Sequence, residues 1–418
     1  MPWSMVITLV VLAWVLQTRE PQPFAEDERR AIEQEIESLL GVPPVWKELE
    51  NFQESICRDD FEDQLTRIFT TGEGWREWIQ LDDESASIRT SEGEFVLRFA
   101  RDEPESAVPR SWKRAAELPP APDERPLQDL HIAIDPGHLG GEWARVEGRW
   151  LQFGDGPPVM EGEMTLLVAQ LLKPRLEAMG AQVSLVREDA QPATRLRPDD
   201  LLEVAASSSP EPLEDLALRR LAERLFYRTA EIRARAVRVN EEIRPDLVLC
   251  LHFNADAWGD PTMPELVAAS HFHILLNGAY TDDELAADDQ RYAMLEKLLT
   301  RTHDEEAAVA ASVAAVFAEQ SGLPPYLYAA DAKHVRPVDG NPYLWARNLI
   351  ANRLYRCPVL FMEPYVMNSQ PDLPRMQAGD YEGLRETDGV MRPSIFREYA
   401  DALAAGLARH YSTHRRSM

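Results

Sequence analysis

The chain has 418 residues, 44% of them hydrophobic and 8% aromatic, which is ample material for a large core and more length than one compact domain usually takes. Its 44 Lys and Arg against 71 Asp and Glu leave a formal charge of −27, which argues against nucleic acid or an anionic membrane face as a partner. Cys57, Cys250 and Cys357 are far apart and odd in number, so they form no CxxC pair and no disulfide framework, and a mean hydropathy of −0.36 excludes a multi-span membrane protein.

Residues 1–20 read as a signal-like leader. Met5 to Leu16 is apolar but well short of the roughly 20 residues a spanning helix needs. The charged TREPQPFAEDERR that follows favours export to the periplasm or cell envelope. No cysteine closes the run, so a lipid anchor is not indicated. Residues 24–100 read as a small mixed α+β domain. A helix is expected over Glu26–Leu40, with Ile32, Ile36, Leu39 and Leu40 at helical spacing and Gly41 and Pro43 ending it. A second amphipathic stretch runs from Trp46 to about Ile68, and Ala86–Thr90 and Glu94–Arg98 flank Ser91-Glu92-Gly93 as a hairpin. This unit carries no chemical constellation, and docking to wall or partner is its expected role. Residues 101–128 hold Pro104, Pro109, Pro119, Pro120, Pro122 and Pro126 and read as an extended linker.

From 129 to 412, strand and helix signals alternate. LHIAI at 130–134, QVSLV after the helix at 163–179, DLVLCL at 246–251, the segment 267–276 and VLFM at 359–362 are strands. Leu213–Ile243 is a long Arg- and Glu-rich helix or helix pair, and 305–320 and 396–410 are helices. The alternation predicts an α/β fold: a twisted, mostly parallel sheet flanked by helices on both faces. Ligands in such sheets collect at the carboxyl ends of strands. His138, His252 and Glu363 each step off an apolar strand there, from segments distant in sequence. Taken singly, each histidine suits a satisfied surface group, Glu363 suits a salt bridge, and Glu161 and Glu163 suit the first turn of a helix.

Taken together, IAIDPGHLGG, MEGEMTLLVAQLLKPRLEAMGAQVSLVR, RAVRVNEEIRPDLVLCLHFNA and CPVLFMEP resemble, in order, the zinc-dependent N-acetylmuramoyl-L-alanine amidases of peptidoglycan. The resemblance implies one Zn²⁺ per chain on His138, Glu161 and His252, with Glu363 as catalytic acid/base, and supporting positions at Arg187, Arg235, Asn240 and Asn254. Glu161 rather than Glu163 is implied as the ligand, because it stands four residues before Thr165. Two imidazoles and a carboxylate also suit zinc on chemical grounds, leaving a fourth position open. The implied activity is hydrolysis of the amide between N-acetylmuramic acid and L-alanine. The alternatives are a zinc amidohydrolase or peptidase of the same fold acting on another amide, and a non-catalytic relative that binds wall material or a partner. The sequence departs from the family pattern in the longer Gly137-His138-Leu139-Gly140-Gly141 turn and in Pro364-Tyr365-Val366-Met367-Asn368-Ser369 after Glu363. Two insertions stand out, one between Arg187 and Arg235 and one at 282–320. The second is expected as a helix that covers the zinc until a protein activator displaces it, as in some division-associated members of the family. His271 and His273 on one strand face form a competing metal pair without a third ligand, His334 is a candidate for the groove, and Cys250 shares the face of His252. No P-loop, GxGxxG, HExxH or GxSxG element occurs, so no nucleotide is implied.

Overall fold

The computed structural model describes residues 32, 34–36, 39 and 43–416, apart from 103–107, 258, 261–262 and 388. The leader at 1–20 and most of the helix expected at 26–40 lie outside the described residues. Ile32, Ile36 and Leu39 are helical, and Leu39 is buried beside Leu139, Leu196 and Phe226. No helix of the described residues is long and apolar enough to cross a membrane.

The N-terminal unit starts with a tight helical turn at Trp46–Phe52 and the helix α1 (Arg58–Gln64), so the amphipathic stretch from Trp46 to about Ile68 is interrupted at 53–57. Three antiparallel strands follow: β1 (Ile79–Leu81), β2 (Ser85–Thr90) and β3 (Gly93–Arg98). The expected hairpin is β2–β3, closing with Thr90 opposite Gly93. Ala86, Ile88, Phe95 and Leu97 alternate inward and carry its buried face.

The large domain is built from β4 (His131–Pro136), α2 (Glu161–Ala178), β5 (Gln182–Leu185), α3 (Asp215–Leu225), α4 (Glu231–Val237), β6 (Leu247–Leu251), β7 (Phe272–Leu276), α5 (Asp288–Thr300), α6 (Thr302–Ser321), β8 (Arg336–Val338), β9 (Asn341–Ala346), β10 (Val359–Pro364) and α7 (Ile395–His414). Its seven strands lie in the order β8-β9-β7-β10-β6-β4-β5. The run β10-β6-β4-β5 is parallel, β7 is antiparallel to β10 and parallel to β9, and β8 is antiparallel to β9. This is the mostly parallel α/β sheet expected from the alternation.

β6 is buried along its whole length, as a strand covered on both faces must be. On one face Leu247, Leu249 and Leu251 pack with Ile132, Ile134, Leu360 and Met362 under α2, α6 and α7. On the other face Val248 and Cys250 pack with Ala133, Phe361 and Tyr355 near α4.

Two expectations need correction. Pro-rich residues 108–128 are not an extended spacer: Trp112, Ala115, Leu118 and Leu127 are buried against the large domain, and Arg415 donates to the carbonyls of Pro119 (2.8 Å) and Pro126 (2.9 Å). Apolar side chains between the prolines supply a reason to fold back. The segment 282–320 does not cover the His–Glu cluster. Leu295, Leu298 and Leu299 of α5 are buried in one core with Leu49, Phe61, Phe69 and Ile88 of the N-terminal unit. Asp288 at the start of α5 accepts from Trp46 Nε1 (3.0 Å) and Ser91 Oγ (2.8 Å). Val309, Val313 and Phe317 of α6 are buried beneath the opposite sheet face. Burial of these apolar rows outweighs what a helix laid over a polar cleft would gain.

Candidate metal centre

The site forms at the carboxyl ends of β4, β6 and β10. β4 runs through Asp135 and Pro136 into Gly137, where the chain passes so close to His252 that an added Cβ would stand 2.2 Å from the His252 ring. The next residue, His138, adopts φ 58°, the left-handed region that a non-glycine residue enters at a cost. α2 begins at Glu161, and Gly162 lets it approach the turn, since a Cβ there would lie 2.2 Å from the Leu139 carbonyl carbon. β6 ends one residue before His252, whose ring stacks on Phe361 at 4.1 Å between centroids.

Ligand-type atoms of His138, Glu161 and His252 all lie within 4.8 Å of one another, and among the described residues this is the one group of three or more His, Cys, Asp or Glu side chains so gathered. Glu161 is buried, with Oε2 3.3 Å from His138 Nε2 and Oε1 3.0 Å from His252 Nδ1. Burial alone would raise its carboxyl, but His138, His252 and Arg149 overcome that and hold it down at about 2. His252, in spite of its burial, is raised by its contact with Glu161. Glu163 is occupied elsewhere, accepting from the Gly141 N–H at 3.0 Å.

Two residues without a motif complete the surroundings of His138. Glu147 accepts from the Leu139 N–H (2.9 Å) and from His138 Nδ1 (3.2 Å). With a cation present, a proton held on Nδ1 by Glu147 would leave the Nε2 lone pair for the metal, the orientation that carboxylate-backed metal histidines take. Arg149 places its Nε 3.3 Å from both His138 Nε2 and Glu161 Oε2. The cluster therefore already holds a positive charge against the atoms a cation would use. No hydrophobic period marks either residue; the only trace in the sequence is an acid and a base within ARVEGR, between two ligand-bearing segments.

The turn is gripped from behind. Arg235 donates to Asp135 Oδ1 (2.9 Å), Glu231 Oε1 (2.8 Å) and the carbonyls of Pro136 (2.8 Å) and His138 (3.1 Å). Arg187 donates to the same His138 carbonyl (2.9 Å) and to that of Gly162 (3.1 Å). Both supporting arginines are thus beside the turn. Asn254 lies just past His252 and bonds the Ala255 N–H at 2.7 Å. Asn240 stands away from the cluster, tying Leu354 O (2.9 Å) and Arg356 N (3.0 Å).

A cavity of about 390 Å³ opens over the cluster, walled by Tyr227, Arg228 and Ile232 on one side and Arg347 and Ile350 on another, with Glu363 in its lining. Burial first, then the nearby charge of Glu161, pushes the Glu363 carboxyl up to about 7, against the pull of His252. No residue of 282–320 lines it.

The competitors are elsewhere. His271 and His273 do sit side by side, 6.5 Å between ring centroids, but burial lowers both, His273 to about 3, and among the described residues no acid or thiol makes them a group of three. His334 contacts Tyr328 and does not line the cavity. Burial pushes the Cys250 thiol well up, so it packs as a small apolar group.

No protein-family model matches this chain, and no curated protein matches it. Among solved structures it is similar to the N-acetylmuramyl-L-alanine amidase Ami1 from Mycobacterium smegmatis, with 18% identity and a TM-score of 0.36 over 69% of this chain and 99% of that one. The apo form of Ami1 from Mycobacterium abscessus aligns at 16% identity and a TM-score of 0.37, over 68% of this chain and 99% of that one. The CwlD amidase from Clostridioides difficile, solved in complex with the GerS lipoprotein, aligns at 10% and 0.37, over 68% and 100%.

Proposed function

We propose that this chain is a zinc-dependent N-acetylmuramoyl-L-alanine amidase, an exported enzyme of the periplasm or cell envelope that removes peptide stems from peptidoglycan. The observation that carries the reading is the convergence of His138, Glu161 and His252, with Glu363 in the same cavity, from segments far apart in the chain. The donor set fits zinc: two imidazoles, one carboxylate, an outward carboxylate behind His138, and glycine where a Cβ would fill the cradle.

His138, Glu161 and His252 would hold one Zn²⁺ per chain. Bound there, the ion supplies a Lewis acid for the amide carbonyl and lowers the pKa of a coordinated water to about 7. The remaining chemistry belongs to Glu363. A carboxyl held near neutrality accepts the proton of the attacking water as its oxygen joins the carbonyl carbon. It then returns that proton to the amide nitrogen as the carbon–nitrogen bond breaks, so the stem leaves with a free L-alanine amine and the muramoyl group with a carboxylate. Arg187 and Arg235 act earlier, by fixing the turn that aims His138.

The test combines metal analysis with mass spectrometry of products from isolated sacculi. About one zinc per chain, release of stems beginning with L-alanine, and loss of release in Glu363→Gln with zinc retained are expected. Zinc without release of such stems would move the reading to another amide substrate. Absence of bound zinc at micromolar concentrations would leave a non-catalytic relative.

A further inference from the structure

We infer that the groove running from the metal centre along α3 is a subsite for the carboxylates of the peptide stem, read by a row of arginines. The inference rests on the amidase reading above. A second cavity of about 700 Å³ adjoins the first and shares Glu147 and Tyr227 with it. Arg145, Arg220 and Arg224 line the second cavity and Arg228 the first. Arg220, Arg224 and Arg228 follow one another at intervals of four along α3 and the wider helical turn that continues it, so they form one row leading to the site.

The row is exposed, and none of its arginines has a hydrogen bond or ion pair with any described residue, nor has Arg145. Arg145 only stacks on Trp150, at 3.8 Å, and Arg228 only leans over Tyr227, at 5.8 Å. Yet the chain carries 71 acids against 44 bases, and Glu214 and Glu223 line the same groove without pairing with them. Arginines left free in so acidic a protein, on a wall continuous with the reacting groups, suit a ligand that brings its own carboxylates. The guanidinium fork matches a carboxylate with two parallel hydrogen bonds.

Length agrees. From Arg228 to Arg220 the helix rises about 12 Å, at about 1.5 Å per residue. An extended peptide covers that distance in three to four residues at about 3.3–3.6 Å each. A stem whose first residue carries the scissile nitrogen would thus pass its second to fifth residues along the row, where the free carboxylates of a D-glutamyl and diaminopimelyl stem lie. Leu216, 62% exposed at the far end, offers an apolar contact beyond.

The test compares N-acetylmuramoyl-L-alanine with N-acetylmuramoyl-L-alanyl-γ-D-glutamyl-meso-diaminopimelate as substrates. In the wild type the longer substrate should have the higher kcat/KM. In the double variant Arg220→Gln/Arg224→Gln, the ratio of the two values should fall about tenfold or more at low salt, through KM, with zinc content unchanged. The difference should shrink in about 1 M salt, where the screening length is about 3 Å. Arg219→Gln, beside the row but lining neither cavity, should keep the wild-type ratio. An unchanged ratio in the double variant, or equal cleavage of both substrates by the wild type, would overturn the subsite and leave the amidase standing. An unchanged ratio together with lost binding of poly-L-glutamate would reassign the groove to an acidic protein partner. A wild type that cleaves neither substrate would refute the amidase reading itself, and this one with it.

Discussion

Replacing Arg235 by Met should damage both the fold and the metal centre, because this one guanidinium satisfies four acceptors. Its side chain is 5% exposed, and it faces Asp135 and Glu231 at 5% and 1%. The methionine fills a similar volume but leaves two carboxylates buried without their main counter-charge. Breaking a buried pair in this way costs about 3–5 kcal/mol, a large share of the roughly 5–15 kcal/mol that holds a typical domain together. It also removes one donor each from the carbonyls of Pro136 and His138, so of the two arginines behind the left-handed turn only Arg187 remains. Loss of a group that orients a metal ligand typically weakens metal binding about 10–100-fold. Urea unfolding should report the first loss and competition with a chromophoric zinc chelator the second. Arg235→Lys, which keeps the charge but not the fork, should fall between the two in both assays and covers the case in which the Met variant does not fold. Wild-type zinc affinity in Arg235→Lys, or wild-type stability in Arg235→Met, would refute the account of the turn as held from behind.

Three further predictions follow from single positions. Catalysis should rise with pH as Glu363 loses its proton; the carboxyl stands at about 7 without the ion, and a bound cation would move that midpoint down. A pH–rate profile of kcat/KM that instead falls on the alkaline side of pH 5–7 would contradict Glu363 as the base. Gly162→Ala gains about 1 kcal/mol of helix propensity but puts a Cβ 2.2 Å from the Leu139 carbonyl carbon, a clash that costs about 1–3 kcal/mol. Chemical denaturation should therefore show a net loss, accompanied by weaker zinc binding, and a stabilised variant would refute the close approach. His303 is buried, which lowers its pKa to about 4 from 6.5. The unfolded chain takes up this proton first, so the stability it supports is complete above about pH 6.5 and declines towards pH 4, by up to about 3 kcal/mol. His303→Phe should flatten that interval of the stability–pH curve, and an unflattened curve would exclude His303 as its source.

What was legible in the sequence follows from how each feature is encoded. The sheet was readable because DLVLCL and VLFM are apolar runs with nothing polar to compete, and the rim followed because His252 and Glu363 step directly off them. The cluster was readable only through several short motifs at once, since no single imidazole differs from a surface one. Glu147 and Arg149 escaped because they act from a short irregular segment whose place beside His138 is set by the fold. The segment 282–320 was misplaced for a related reason. Leu295, Leu298 and Leu299 of α5 announce a buried face, but the residues they meet, such as Leu49, Phe61 and Ile88, lie about two hundred positions earlier. A periodic apolar row states that a helix is covered and leaves open by what.

That shared core changes how the N-terminal unit should be regarded. Its three-stranded sheet has one apolar face, carried by Ile79, Ala86, Ile88 and Leu97, and a sheet this small needs a partner to be stable. α5 supplies the partner, and the contact is pinned by the Asp288 bonds to Trp46 and Ser91. The insertion that interrupts the large domain thus helps to hold the N-terminal unit to it, together with the backbone bonds of Ala279 and Tyr280 to Ile68 and Phe69. It lies away from the cavity over His138, Glu161 and His252, and none of its residues lines it. The insertion that does reach the cavity is the other one, between Arg187 and Arg235, which contributes Tyr227, Arg228 and Ile232 to its wall.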